Sequence, residues 1–217
     1  MTPLHIVVEG PTEEAFVKEV LFPHLEAFRV WATPVIVATS RAPDGHKRKG
    51  GGAWGQWRKD IQILLRDSRS ELRVTTMFDL YGLPGDFPAR DVNDRDTSTR
   101  AVRLEAAMAE AIEDRRLIPY LQRHEFEALV LASLPALRTI VHGDATEAVD
   151  ALRREITVPP EDVNDGKETA PSKRLLRVPG YQKTVHGPGA VKATGLAALR
   201  ASCTRFGAWV TLLEGLT

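Results

Sequence analysis

Four acids stand just beyond short apolar runs in this chain. Glu9 follows Leu4 to Val8, Asp79 follows Arg73 to Phe78, and Glu125 and Glu127 come soon after Leu117 to Leu121. Hard divalent cations such as Mg²⁺ take oxygen ligands, usually one or two carboxylates together with water and substrate phosphate. A pair of such ions about 4 Å apart activates a water and stabilises the leaving oxygen in phosphodiester cleavage. The competing explanation for each acid is structural, because helix N-termini favour negative side chains. One acid of this kind would be assigned to capping. Three segments that deliver acids in the same order after three strands point instead to a shared site. Glu13 and Glu14 fall in a first helical turn, where a structural acid belongs, and Glu13 stays open between the two readings.

Basic groups lie in three further places. His124 precedes Glu125; beside acids a histidine ligates metal, transfers a proton or orients phosphate, or it is a satisfied buried ring. Lys173, Arg174, Lys183 and His186 occupy two short blocks in a Pro/Gly-rich stretch. A lysine facing a metal-phosphate centre stabilises the charge of phosphoryl transfer, and Lys173 or Lys183 is the candidate, with Arg174 and His186 as phosphate contacts. The alternative for each is a solvated loop cation. His46 is followed by Lys47, Arg48 and Lys49 and then by Gly50 to Gly52, a pattern that suits either phosphate-backbone contact or a solvated loop. Trp54 and Trp57 would suit base stacking, but their helical spacing places them in a core.

The elements that position these groups are readable from periodicity. Leu4 to Val8, Pro34 to Thr39 and Arg73 to Phe78 read as buried strands, and Leu117 to Leu121 as an edge strand because of Pro119. Helices are expected from Thr12, as N-cap, to about Phe28, over Trp54 to Leu65, and from about Thr99 to Asp114. Glu125 to Ala132, Thr146 to Glu155, Ser172 to Leu176 and Val191 to Ser202 also read as helical, with Thr157 to Pro171 irregular and apolar Phe206 to Leu213 packed on the body. Strands alternating with helices indicate an α/β fold with a parallel sheet. In such sheets ligands collect beyond the carboxyl ends of the strands.

Composition narrows the function classes. The chain has 217 residues, enough for one domain with a small appendage. The 29 basic and 29 acidic residues cancel, which argues against a protein that coats nucleic acid non-specifically but allows a local basic patch. The lone Cys203 excludes an intrachain disulfide framework and a cysteine zinc cage, and fits the reducing cytoplasm. No apolar run reaches the roughly 20 residues of a membrane span, so no membrane partner is expected. The N-terminus lacks the basic region of a signal peptide. No GxxxxGK[ST] phosphate loop is present.

The block VEGPTEEAFV at residues 8–17 resembles the opening motif of Toprim-type domains, most closely the Toprim of OLD (overcoming lysogenization defect) nucleases and their short bacterial relatives. MFDLYGLP (77–84), RHEFEALV (123–130), APSKRL (170–175) and GYQKTVHG (180–187) resemble the later blocks of the same group. The resemblance implies one Toprim-like α/β domain over residues 1–217, with a helical and loop extension from about residue 133. It also implies a nuclease dependent on Mg²⁺ or Mn²⁺, acting on DNA or another nucleic acid. Glu9 corresponds to the first-strand acid and Asp79 to the first acid of Asp-x-Asp. Residue 81 departs from that pattern: it is Tyr81. Glu127, Glu125 or Asp86 is then needed as a replacement ligand, or the site holds one metal. A late lysine, Lys173 or Lys183, corresponds to the charge-stabilising cation. The nucleophile is expected to be water, since no serine, cysteine or tyrosine stands out as activated. Such proteins are often encoded beside ATPases in phage-defence loci, which implies a partner ATPase; the oligomeric state stays open. The rival expectation is a catalytically weak binding or effector module that docks on an ATPase or senses a nucleotide, and Tyr81 favours it. A small-molecule phosphatase is opposed by the absence of DxDx[TV] after a strand.

Overall fold

The computed structural model describes residues 1–37, 52–92, 94, 96–163, 166 and 168–216. Among the described residues five strands form the sheet: β1 (Thr2–Val8), β2 (Val30–Ile36), β3 (Arg73–Asp79), β4 (Leu117–Ile118) and β5 (Leu121–Gln122). Their order is β2-β1-β3-β4, β5 also pairs with β3, and every pairing is parallel. The expected α/β class with a parallel sheet flanked by helices is what the chain adopts.

Alternation along β1 sends Leu4, Ile6 and Val8 to one face and Val7 to the other. Both faces are covered, as parallel sheets require. Helix α3 (Trp54–Leu65) and helix α4 (Thr97–Ile112) cover one face, where Trp57, Ile61, Leu104 and Met108 meet Val74 and Phe78. The opposite face carries α1 (Pro11–Phe16), α2 (Phe22–Glu26) and the helices after β5: α5 (Glu127–Ala132), α6 (Leu134–Ile140), α7 (Asp144–Glu155), α8 (Pro171–Leu175), α9 (Lys183–Thr194), α10 (Leu196–Ser202) and α11 (Thr204–Glu214). Phe206, Trp209, Val210 and Leu213 of α11 are buried there, as their apolar character predicts. Among the described residues no helix is long and apolar enough to cross a membrane.

Several expected boundaries move, each for a local reason. Gly10, not Thr12, is the N-cap of α1; Pro11 takes the first helical position, and Thr12 is buried. Residues 17–21 form a π turn between α1 and α2. Pro23 has no N–H for the carbonyl four residues back, so the turn ahead of it widens. Strand β2 starts at Val30, earlier than Pro34, because Arg29 at φ 59° turns the chain straight out of α2. Pro34 then lies inside an edge strand, where a missing donor is tolerated. The expected strand at Leu117 to Leu121 splits into β4 and β5. At the break, Thr76 Oγ1 donates to the Tyr120 carbonyl at 2.8 Å and accepts the Tyr120 N–H at 2.9 Å, so a side chain completes the ladder. Helix α6 was not expected. The helix expected over Val191 to Ser202 begins earlier, at Lys183, and breaks at Gly195, φ 80°.

Candidate functional site

Strands β1 and β3 are neighbours, with Val8 at the end of β1 opposite Met77, and β3 runs two residues further to Asp79. That register puts Glu9 and Asp79 side by side at the carboxyl edge of the sheet. Glu9 Oε1 accepts the Asp79 N–H at 2.7 Å. Asp79 Oδ1 in turn accepts the N–H of Phe126, the residue that caps α5, at 2.8 Å. The first residue of α5 is Glu127, whose side chain is 1% exposed and whose Oε1 lies 2.9 Å from Lys183 Nζ. Lys183 opens α9. Glu13, third residue of α1, is also buried, and its carboxylate is steadied by its own backbone N–H and that of Gly10. Four carboxylates from three segments and one lysine from a fourth therefore meet at this edge.

Their electrostatics are those of crowded anions. Burial, then repulsion from Glu13 and Glu125 against the pull of the Asp79 N–H and Lys183, pushes the Glu9 carboxyl from 4.5 up to about 7. Burial holds Asp79 well above the usual carboxylate range, helped by Glu9, Glu13 and Glu127. Burial likewise raises Glu13 and Glu127, with Lys183 opposing it. Burial alone would lower the Lys183 ammonium, yet Glu127, Asp79 and Glu13 hold it above its ordinary value. Each acid has a structural task that uses one oxygen. Those tasks need only an acceptor, and a neutral amide or hydroxyl would serve without the mutual repulsion. Crowded, protonation-prone acids are the kind of arrangement that marks functional sites.

The donor set fits a hard divalent cation in kind. All the donors are carboxylate oxygens, and both Glu127 oxygens are buried without a hydrogen-bond partner among the described residues, with Lys183 as an ion-pair contact at Oε1. Gly82 leaves open the space beside Glu9: a Cβ there would lie 3.4 Å from Glu9 Oε2. Among the described residues no group of three or more acid, histidine or cysteine side chains is arranged, as the side chains stand, to hold a metal ion.

The other sequence candidates fall in different places. Both oxygens of Glu125 are engaged, Oε2 by the Ser172 N–H and Oε1 by the Ser172 hydroxyl, each at 2.9 Å, which ties α8 to the start of α5. Lys173, the next residue, is exposed and makes no ion pair with a described residue. Arg174 pairs with Glu155 and donates to the Thr169 carbonyl, on the far side of α8. His186 Nδ1 accepts the Gln182 N–H at 2.9 Å and so caps α9. The His124 ring is 2% exposed, its backbone has φ 61°, and its carbonyl accepts the Tyr81 N–H at 2.9 Å. Asp86 is drawn away to the start of α3, where Oδ1 accepts the Trp54 N–H at 2.9 Å. Trp54 and Trp57 are buried against Phe87 and Phe78, so the core reading holds and stacking on bases does not. His46, Lys47, Arg48 and Lys49 lie outside the described residues. Sequence reasoning did not single out Tyr181, whose buried hydroxyl has no hydrogen-bond partner among the described residues and feels both Glu127 and Lys183. Its place two residues before Lys183 in GYQK was the available signal.

A family model described as a domain of unknown function, DUF4276, matches residues 8–214. Among solved structures, the C-terminal region of the Burkholderia pseudomallei OLD protein is similar at 14% identity and a TM-score of 0.45, over 99% of this chain and 100% of that one. The C-terminal region of the Xanthomonas campestris pv. campestris OLD protein is similar at 13% identity and a TM-score of 0.38, over 96% of each chain. Neither is close enough to bear on the chemistry. No curated protein matches the chain significantly.

Proposed function

We propose that this chain, which belongs to the DUF4276 family, is a divalent-metal-dependent nuclease that hydrolyses phosphodiester bonds. The observation that carries the reading is the meeting of Glu9, Asp79 and Glu127 with Lys183 at the carboxyl edge of β1 and β3. The sequence resemblance to the Toprim domains of OLD nucleases supports the same reaction class. Glu9, Asp79 and Glu127 are the residues that would hold Mg²⁺ or Mn²⁺. When bound, such an ion supplies Lewis-acid charge at a phosphate oxygen and makes a water more acidic.

The chain's own residues do the rest. Amide hydrogen bonds fix Glu9 and Asp79 on one oxygen each. Lys183 is close enough to the cluster to meet the negative charge of a scissile phosphate. Glu125 acts through Ser172, holding α8 and the exposed Lys173 beside the site. Lys173 and the Lys47, Arg48 and Lys49 segment are the proposed nucleic-acid backbone contacts. His124 is kept as an orienting residue; Arg174, held by Glu155, and His186, held as a helix cap, are assigned structural work. A partner ATPase and a role in phage defence belong to the same proposal.

The test is cleavage of plasmid and linear DNA with Mg²⁺ or Mn²⁺ by the wild type and by Glu9→Gln, each alone and with a neighbouring ATPase. Metal-dependent cutting lost in the variant is expected. A wild type that never cuts sinks the nuclease reading. The second reading, a binding or effector module with little catalysis, is favoured by one observation: Tyr81, in place of a second strand-end acid, is 45% exposed and offers no carboxylate. Tight metal or nucleotide binding without cleavage is its signature.

A further inference from the structure

The ion pair between Lys183 and Glu127 joins two very different environments. Glu127 is 1% exposed, whereas the Lys183 side chain is 46% exposed. A buried carboxylate without a partner is costly, so Glu127 depends on Lys183 in the resting protein. The lysine is held by the same acids, but it is half-exposed on a flexible stem, so its ammonium can swing toward a second anion that replaces part of their pull. Among the described residues neither buried Glu127 oxygen has a hydrogen-bond partner, and the Lys183 ammonium 2.9 Å from Oε1 is its counter-charge. Lys183 therefore stands at the mouth of the cluster as a cation that can leave, over an acid that cannot be left alone.

We infer that Lys183 is a tethered counter-ion that competes with the divalent cation for Glu127, and that an incoming phosphate frees the acid by drawing the lysine away. This rests on the metal-site reading above and adds to it an order of events. With no phosphate present, the ion must displace an ammonium already in place. With phosphate present, the lysine has a second anion to serve, and the ion meets an uncompensated Glu127. By linkage, phosphate and cation then strengthen one another's binding.

The experiment compares wild type, Lys183→Met and Lys183→Arg. Two quantities are measured: thermal midpoint in EDTA, and Mn²⁺ affinity by calorimetry, with and without inorganic phosphate. Lys183→Met should melt lower without metal yet bind Mn²⁺ about tenfold more tightly, a typical coupling between linked sites. Lys183→Arg should stay near wild type in both. Phosphate should tighten Mn²⁺ binding by the wild type and not by Lys183→Met. A merely structural lysine predicts that stability and affinity fall together in Lys183→Met, which overturns the inference, as does an unchanged affinity. If Lys183→Met is unfolded in EDTA, Mn²⁺ should restore its folding, and failure to do so also overturns it. Binding of Mn²⁺ by neither wild type nor variant removes the metal site itself, a different failure from a wild type that binds and a variant that binds no better.

Discussion

Replacing Glu9 by glutamine should make the metal-free protein more stable while ending its proposed activity. Glutamine keeps a carbonyl oxygen for the Asp79 N–H that Glu9 Oε1 now accepts. It removes the charge that burial and neighbouring acids resist. The carboxyl ionises near 4.5 when exposed and near 7 in the fold. Each unit between those values is about 1.4 kcal/mol, so ionised Glu9 costs the fold on the order of 3 kcal/mol. The sign follows from the direction of the shift. A raised carboxyl favours the fold while protonated in it; that contribution is whole below 4.5 and is lost as pH climbs through about 7. Wild type in EDTA should therefore lose stability between about pH 5 and pH 8.5, and Glu9→Gln should lose much less. Urea denaturation across that range gives the comparison. The two proteins should agree near the acid end and differ by roughly 2–3 kcal/mol at the alkaline end, in favour of the variant. Added Mn²⁺ should reverse the order by stabilising only the wild type. A Glu9→Gln protein that is no more stable than wild type at about pH 8.5 refutes the claim that these acids are held together against their own repulsion.

Three further outcomes follow from single contacts. Ser172→Ala removes the hydroxyl that donates to Glu125 Oε1 and should lower the unfolding free energy by about 1–2 kcal/mol, as expected for a hydrogen bond to a charged group, read as a shifted urea midpoint. Gly82→Ala places a methyl 3.4 Å from Glu9 Oε2 and 3.6 Å from Asp79 Cβ; calorimetry should show weaker Mn²⁺ binding while metal-free stability moves by no more than about 0.5 kcal/mol. Lys173→Ala, at an exposed position, should weaken DNA binding alike for all sequences and reduce the slope of log affinity against log salt by about 0.9, and an unchanged slope removes Lys173 from the backbone contacts.

Elements whose own side chains settle their state were legible in the sequence. Trp54–Leu65 is helical over the expected span because Trp57, Ile61 and Leu65 recur on one face. Arg73–Asp79 is a strand because it is apolar or β-branched almost throughout. Residues 183–190 misled because glycine and proline read as loop signals, although they open α9. In α9, Gly187 is there for close approach: a Cβ would lie 3.2 Å from the Tyr181 hydroxyl. At the site, Glu9 and Asp79 were fixed by strand ends alone. Choices between near neighbours were not legible. Glu125 and Glu127 sit two residues apart at a helix start, and which one faces inward depends on where α8 docks, since Ser172 takes Glu125 away. Asp86 is near Asp79 in sequence, but the open N-terminus of α3 claims it. Lys173 and Lys183 are equivalent in the sequence, and only the packing of α9 against α1 and α5 sets Lys183 over the acids.

The tyrosine at position 81 takes on a different meaning in this geometry. As a sequence feature it subtracts an acid from an Asp-x-Asp pair. In the fold, the Tyr81 N–H is bonded to the His124 carbonyl, in the short segment that leads directly into α5 and Glu127. The backbone at residue 81 thus helps to hold the segment whose acid arrives from the other side. Four carboxylates still gather without one at residue 81. The difference lies in access. A strand-end aspartate would stand open beside Asp79, whereas Glu127 lies beneath Lys183. On the proposed reading the substitution does not empty the site but places part of it under the control of a lysine, and a Tyr81→Asp variant separates the two descriptions. If Lys183 gates the site, the added acid should raise Mn²⁺ affinity in the absence of phosphate and blunt the tightening that phosphate brings. If residue 81 merely lost a ligand, affinity should rise by the same factor with phosphate and without it.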